Sequence, residues 1–113
     1  MMLCELASRL IVDPRKLVEY ALNPDAPRGR HKALVFEQAL GYTLNNWQHL
    51  LSQLEMLAPH AEARLHGGDN YERRYTADLR ITGVNGRQST VCTGWIVRAE
   101  EDVVRLVTLW VEE

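Results

Sequence analysis

The sequence predicts an α+β fold: three helices followed by an antiparallel meander of three to four strands, with the helices packed on one sheet face. Three observations carry this. Leu44, Trp47, Leu50, Leu51, Leu54 and Leu57 recur at the spacing of one helix face. From Ala61 onward the hydrophobic period changes to two. Gly83-Val84-Asn85-Gly86 and Ala99-Glu100-Glu101-Asp102 then cut the alternating half into strands. With 113 residues, 46% of them hydrophobic, the chain is read as one domain, 1–113, large enough to bury a core.

Met1 to Val12 is apolar, with an extended segment expected around Leu10 to Val12. Asp13-Pro14 is a helix start, Asp as N-cap and Pro at the first helical position. Leu17, Val18, Ala21 and Leu22 follow at helical spacing, and Asn23-Pro24-Asp25-Ala26-Pro27 ends that helix. The second helix runs from Arg28 or Arg30 to Leu40. Ala33, Phe36 and Leu40 form its buried stripe and Gly41 its C-cap. Thr43 is expected to cap the third helix and Pro59 to stop it.

In the second half, Ala61, Ala63 and Leu65 alternate with Glu62, Arg64 and His66, and Gly67-Gly68-Asp69-Asn70 reads as a turn. Tyr75, Ala77, Leu79 and Ile81 share one face of the next strand. Thr90 to Arg98 and Val103 to Val111 complete the meander, with Gly94 a candidate bulge. A type I turn with left-handed Gly86 pairs Gly83 with Arg87, and so sets Leu79 against Val91, Ala77 against Thr93 and Tyr75 against Trp95. The alternative, a two-residue Asn85-Gly86 loop, shifts that register by one. Pairing Arg98 with Val103 at the last hairpin sets Trp95 against Leu106, Thr93 against Thr108, and Val91 against Trp110.

The formal charge of −2 means that any nucleic-acid contact must use a local patch. Cys4 and Cys92 are far apart and form no CxxC pair; reduced thiols in a cytoplasmic protein are the simplest reading. Glu5 and Arg9 interrupt any signal-peptide core, and no apolar run reaches the ~20 residues of a membrane span. His49, His60 and His66 lack zinc-ligand spacing, so no metal and no cofactor is expected.

The stretch Arg28-Gly29-Arg30-His31-Lys32 is the best candidate for chemistry. Its cations sit at a helix start, where the dipole disfavours them unless an anion is bound. His31 is a candidate proton carrier and Lys32 can hold an anionic oxygen, although neighbours on a helix diverge by about 100°. The plainer alternative is a solvated basic turn. Thr93 and Thr108 either hydrogen-bond one another across the sheet or present two hydroxyls to a substrate. Arg74 and its fellow sheet arginines are solvated side chains or phosphate contacts. Trp47, Trp95 and Trp110 are core residues or stacking platforms.

From Leu17 to Val111 the chain resembles a small bacterial family of unknown function. The resemblance rests on Tyr20-Ala21-Leu22-Asn23-Pro24-Asp25, Arg28-Gly29-Arg30-His31-Lys32-Ala33, Ile81-Thr82-Gly83, Asn85-Gly86, Thr93-Gly94-Trp95-Ile96-Val97 and Arg105-Leu106-Val107-Thr108. Members of that family also occur as C-terminal domains of secreted polymorphic toxins. The resemblance implies the fold group of barnase, colicin tRNases and RelE-type toxins, and a cognate immunity protein as partner. Its matching polar positions are Lys32, Asp78, Thr93 and Thr108, with Arg28 and Trp95 nearby. The expectation is a metal-independent ribonuclease-like domain. His31 or Asp78 would move protons, Lys32 and Arg28 would hold phosphate, Thr93 and Thr108 would orient oxygens, and Gly29, Arg74 and Trp95 would contact RNA. The alternative is a non-catalytic protein- or nucleic-acid-binding module. A cleft holding the Lys32 ammonium within ~5–6 Å of either hydroxyl supports the site.

Overall fold

A single apolar face collects residues from every part of the chain. In the computed structural model, which describes residues 1–27 and 29–113, helices α1 (Arg30–Leu40) and α2 (Trp47–Leu57) cover one side of a five-stranded sheet. The strands are β1 (Arg9–Ile11), β2 (Arg64–Gly68), β3 (Glu72–Thr82), β4 (Gln88–Arg98) and β5 (Val103–Val111), in spatial order β1-β5-β4-β3-β2. Phe36, Leu40, Leu50 and Leu54 from the helices pack with Leu79, Val91, Trp95, Leu106 and Leu109 from the sheet. Each large side chain buried there contributes roughly 1.5–3 kcal/mol by its removal from water.

The α+β class and the helices-on-one-face layout hold, but the sheet is not a purely antiparallel meander. The extended segment near Leu10 becomes a fifth strand, β1, which runs parallel to β5 and pairs Arg9 with Val103 through Ile11 with Arg105. The sheet is therefore mixed. β5 has a strand on each edge there, and Val103 and Val104, which point to opposite faces, are both buried.

The first helix is a π-helix, Lys16–Ala21, with the Leu22 N–H donating to the Leu17 carbonyl five residues back. The wider turn brings Leu17, Ala21 and Leu22 together into the core. The second helix begins at Arg30 and ends at Gly41 with φ 76°. The third starts at Trp47 rather than after Thr43. Thr43 and Asn46 use their side chains on one another's turn instead: the Thr43 N–H donates to Asn46 Oδ1 at 2.8 Å, and Thr43 Oγ1 accepts the Asn45 N–H at 3.2 Å.

The β3–β4 hairpin has the expected register, with Gly83 N–H donating to the Arg87 carbonyl at 2.7 Å and Gly86 at φ 84°. At β2 the pairing continues through Gly67 and Gly68, which were expected to turn. The turn comes instead at Asp69, whose Oδ1 accepts the Tyr71 and Glu72 N–H groups. The β4–β5 register departs from expectation part-way along. Trp95 faces Leu106, but Gly94 faces Thr108, Thr93 faces Leu109 and Val91 faces Val111. Val107 is the extra residue, a β-bulge on β5, so there is no Thr93–Thr108 pair.

Candidate functional site

The bulge decides which polar groups meet. Upstream of it β5 has a strand on each side. Because β1 ends opposite Arg105, the stretch from Leu106 to Val111 has no strand on its outer edge among the described residues. The π-helix and the start of α1 close over that edge and leave a cleft of about 280 Å³. Its walls include Lys16, Tyr20, Gly29, Lys32, Val107 and Thr108.

Inside this cleft Lys32 Nζ donates to Thr108 Oγ1 at 2.9 Å and lies 5.7 Å from the centroid of the Trp110 ring. Lys16 Nζ lies 5.7 Å from the Tyr20 ring. These are the chain's only two lysines, and among the described residues neither is paired with a carboxylate. Both cations are held over aromatic faces. Gly29 is required in the cleft lining, since a Cβ there would overlap the Tyr20 carbonyl. Trp110 faces away from the core and is partly exposed. It borders a second hollow of about 150 Å³ on the open sheet face, with Arg74, Gly94, Ile96 and Thr108 around it. Thr108 and Val107 therefore line both depressions, one on each side of the β5 edge.

The other expected residues lie elsewhere. Thr93 is fully buried, donating to the Ala77 carbonyl at 2.6 Å and accepting the Trp95 indole N–H at 2.7 Å. Trp95 is itself buried and makes core contacts. Both are sealed from the cleft because their alternation places them on the helix-covered face. His31 points away from Lys32: its side chain is 78% exposed, its Nε2 is 3.9 Å from a Glu113 oxygen, and it borders a separate groove of about 730 Å³ beside Leu34 and Tyr42. Asp78 sits on the open face two strands from Thr108, held by both Arg64 terminal nitrogens at 3.2 and 3.3 Å. The Arg64 guanidinium keeps its carboxyl below the usual range, against the opposing effect of burial. Burial, with that carboxylate alongside, pushes the neighbouring Cys92 thiol up to about 11. Arg74 is exposed at the open-face hollow. Arg28 lies outside the described residues.

Sequence reading missed Lys16 and Tyr20 as partners of Lys32. The available signal was that the chain's two lysines, Lys16 and Lys32, both lie near a helix start. The π-helical winding of Lys16–Ala21, which regular helical spacing does not anticipate, carries Lys16 and Tyr20 into the cleft lining. Gln53 was missed too; its Oε1 accepts the Thr82 N–H at 2.9 Å and ties α2 to the end of β3. Among the described residues no three His, Cys, Asp or Glu side chains converge on a common point.

A domain of unknown function, DUF6883, matches residues 2–113. The chain belongs to this family. No curated protein and no solved structure matches it. No helix is long and apolar enough to cross a membrane among the described residues.

Proposed function

We propose that this DUF6883 chain binds a single-stranded RNA across the free edge of β5, as a binding module and not as a nuclease. The observation that carries the reading is the Lys32–Thr108 contact at 2.9 Å, with Trp110 under the same ammonium. A phosphate in the cleft would meet two uncompensated cations and a hydroxyl. The strand would then cross Thr108 and lay a base against Trp110 beside the hollow over Gly94, where stacking is worth roughly 1–3 kcal/mol per base. Arg74 lies within reach of the backbone on that face.

Binding is favoured over cleavage by the dispersal of the proton-transfer groups. Phosphodiester cleavage by an RNA 2′-hydroxyl needs a base and an acid beside the cation. His31 opens onto another groove, Asp78 is engaged by Arg64, and Thr93 is in the core. The resemblance to C-terminal domains of polymorphic toxins, and to the fold group of barnase, colicin tRNases and RelE-type toxins, belongs to this proposal as the reason to choose RNA and to look for an immunity-type protein partner.

The test is fluorescence anisotropy with a labelled single-stranded RNA, with the same RNA run on a gel after incubation. We expect salt-dependent binding, weakened by Lys32→Gln and Trp110→Ala, with the log–log salt slope reduced by about 0.7 in Lys32→Gln. Intact RNA on the gel completes the expectation. Absence of binding at low salt overturns the reading. Cleavage that Lys32→Gln abolishes would replace it with the nuclease.

A further inference from the structure

The cleft beside β5 has a shape and charge that an internal stretch of RNA does not need. An internal phosphodiester carries one negative charge and two ester arms, so it needs room for the chain on both of its sides. Gly29 lines the cleft as bare backbone, so close to the Tyr20 carbonyl that a Cβ there would overlap it. Ala21 and Leu109 border it as well. Its volume of about 280 Å³ falls just under the range typical of small-molecule sites, enough for a phosphate and its sugar and too little for a folded-back strand.

The charge complement points the same way. Both lysines of the chain converge on this space with no carboxylate to balance them, and Thr108 adds a hydroxyl already oriented by Lys32. Two cations match a group with a charge near −2, which a phosphomonoester carries at neutral pH and a phosphodiester does not. We infer that the cleft formed by Lys16, Lys32, Thr108 and Gly29 is a pocket for a terminal phosphomonoester, so that the chain recognises the phosphorylated end of an RNA strand. This rests on the RNA-binding reading and specifies which part of the strand enters first. Lys16 and Lys32 hold the terminal oxygens, and Trp110 meets the first base beyond the edge.

The experiment compares one labelled single-stranded RNA in three forms, 5′-phosphorylated, 3′-phosphorylated, and with hydroxyls at both ends, against the folded wild-type chain and Lys16→Gln, Lys32→Gln and Thr108→Val. Unfolding midpoints are measured on each variant, and a nucleoside 5′-monophosphate is titrated separately with backbone amide shifts as the readout. One phosphorylated form should bind about tenfold more tightly than the hydroxyl form, and either lysine substitution should erase that preference. The winning arm identifies the end. Equal affinity for all three forms, with the RNA still bound, overturns the terminal pocket and leaves the RNA-binding reading standing. A preference that survives Lys16→Gln in a fully folded variant also overturns it. If no RNA binds, the RNA-binding reading fails by itself; monophosphate shifts clustered at residues 29–32 and 107–109 then support the pocket, and their absence overturns it.

Discussion

Two Thr-x-Trp triplets lie on adjacent strands, and they have opposite fates. On β4, Thr93 and Trp95 face the helices; the threonine accepts the indole N–H, donates its own O–H to the Ala77 carbonyl, and both polar groups are satisfied inside the core. On β5, Thr108 and Trp110 face outward; the threonine accepts from Lys32 and the indole ring lies under that ammonium at the surface. The local sequence does not distinguish them. The extra residue at Val107 does, because each one-residue shift in a strand exchanges its two faces. The first triplet satisfies a buried hydroxyl inside the core, and the second lies at the surface beside the cleft.

The largest expected effects break the buried triplet. Trp95→Ala should destabilise the fold by about 3–5 kcal/mol, through lost transfer energy and the cavity left behind. Leu54→Ala, on the α2 side of the same core, should cost about 2–5 kcal/mol. Thr93→Val keeps the volume but strands the Trp95 N–H and the Ala77 carbonyl without their partner, so about 1–3 kcal/mol is expected. Denaturant unfolding measures all three. A Thr93→Val variant as stable as wild type would show that the two triplets do not differ in the way described.

Thr108→Val makes the reverse substitution at the exposed triplet. Its stability should stay within about 0.5 kcal/mol of wild type, because the groups it frees are reachable by water. Its affinity for RNA should fall instead. Gly94→Ala sharpens the point. A Cβ at Gly94 would approach the Thr108 methyl to 3.0 Å, so the threonine must shift by a few tenths of an ångström. Affinity should fall with a small stability loss, and an amide spectrum should show the change centred on Thr108 and Lys32. A change centred on Thr93 would mean that the bulge does not insulate the two faces.

Most of the architecture could be read from the chain because it depends on local rules. The α2 stripe, the Gly41 cap and the left-handed Gly86 each follow from a few neighbouring residues, and the β3–β4 register follows from the turn. Parallel pairing of β1 could not be read this way: it joins three residues to a strand some ninety positions later, with no turn between them to set the register. The candidate site divides along the same line. Lys32 and Thr108 are brought together by the expectation that a cation at a helix start wants an anion, and they do meet. Thr93 joins them only if the hairpin register carries across Gly94 unchanged, which it does not. Gly94 was marked as a bulge candidate, but the extra residue lies on the opposite strand, and without it every position beyond is assigned one residue out.

The smallest expected effect concerns the row that crosses the open face from Asp78 through Cys92 to Trp110. Arg64 holds the Asp78 carboxyl below its ordinary value of 3.8, while burial works against it. A carboxyl with a lowered folded-state pKa binds its proton more readily in the unfolded chain. The contribution of Asp78 to stability is therefore fully present above about pH 4 and is lost as pH falls through the folded-state value. Its side chain is 38% exposed, so solvent screening keeps the contribution small. Unfolding midpoints of wild type and Asp78→Asn, measured from pH 7 to pH 2, should differ by a constant amount down to about pH 5, and the gap should close below about pH 4. Other carboxyls lowered by hydrogen bonds, among them Asp13, Asp69 and Glu101, acid-destabilise both proteins alike and cancel in the difference. A gap that widens toward acid would mean that the folded chain favours protonated Asp78. The Arg64 pair would then be too weak to define the open face, and the Cys92–Trp110 end of the row would lose its fixed neighbour.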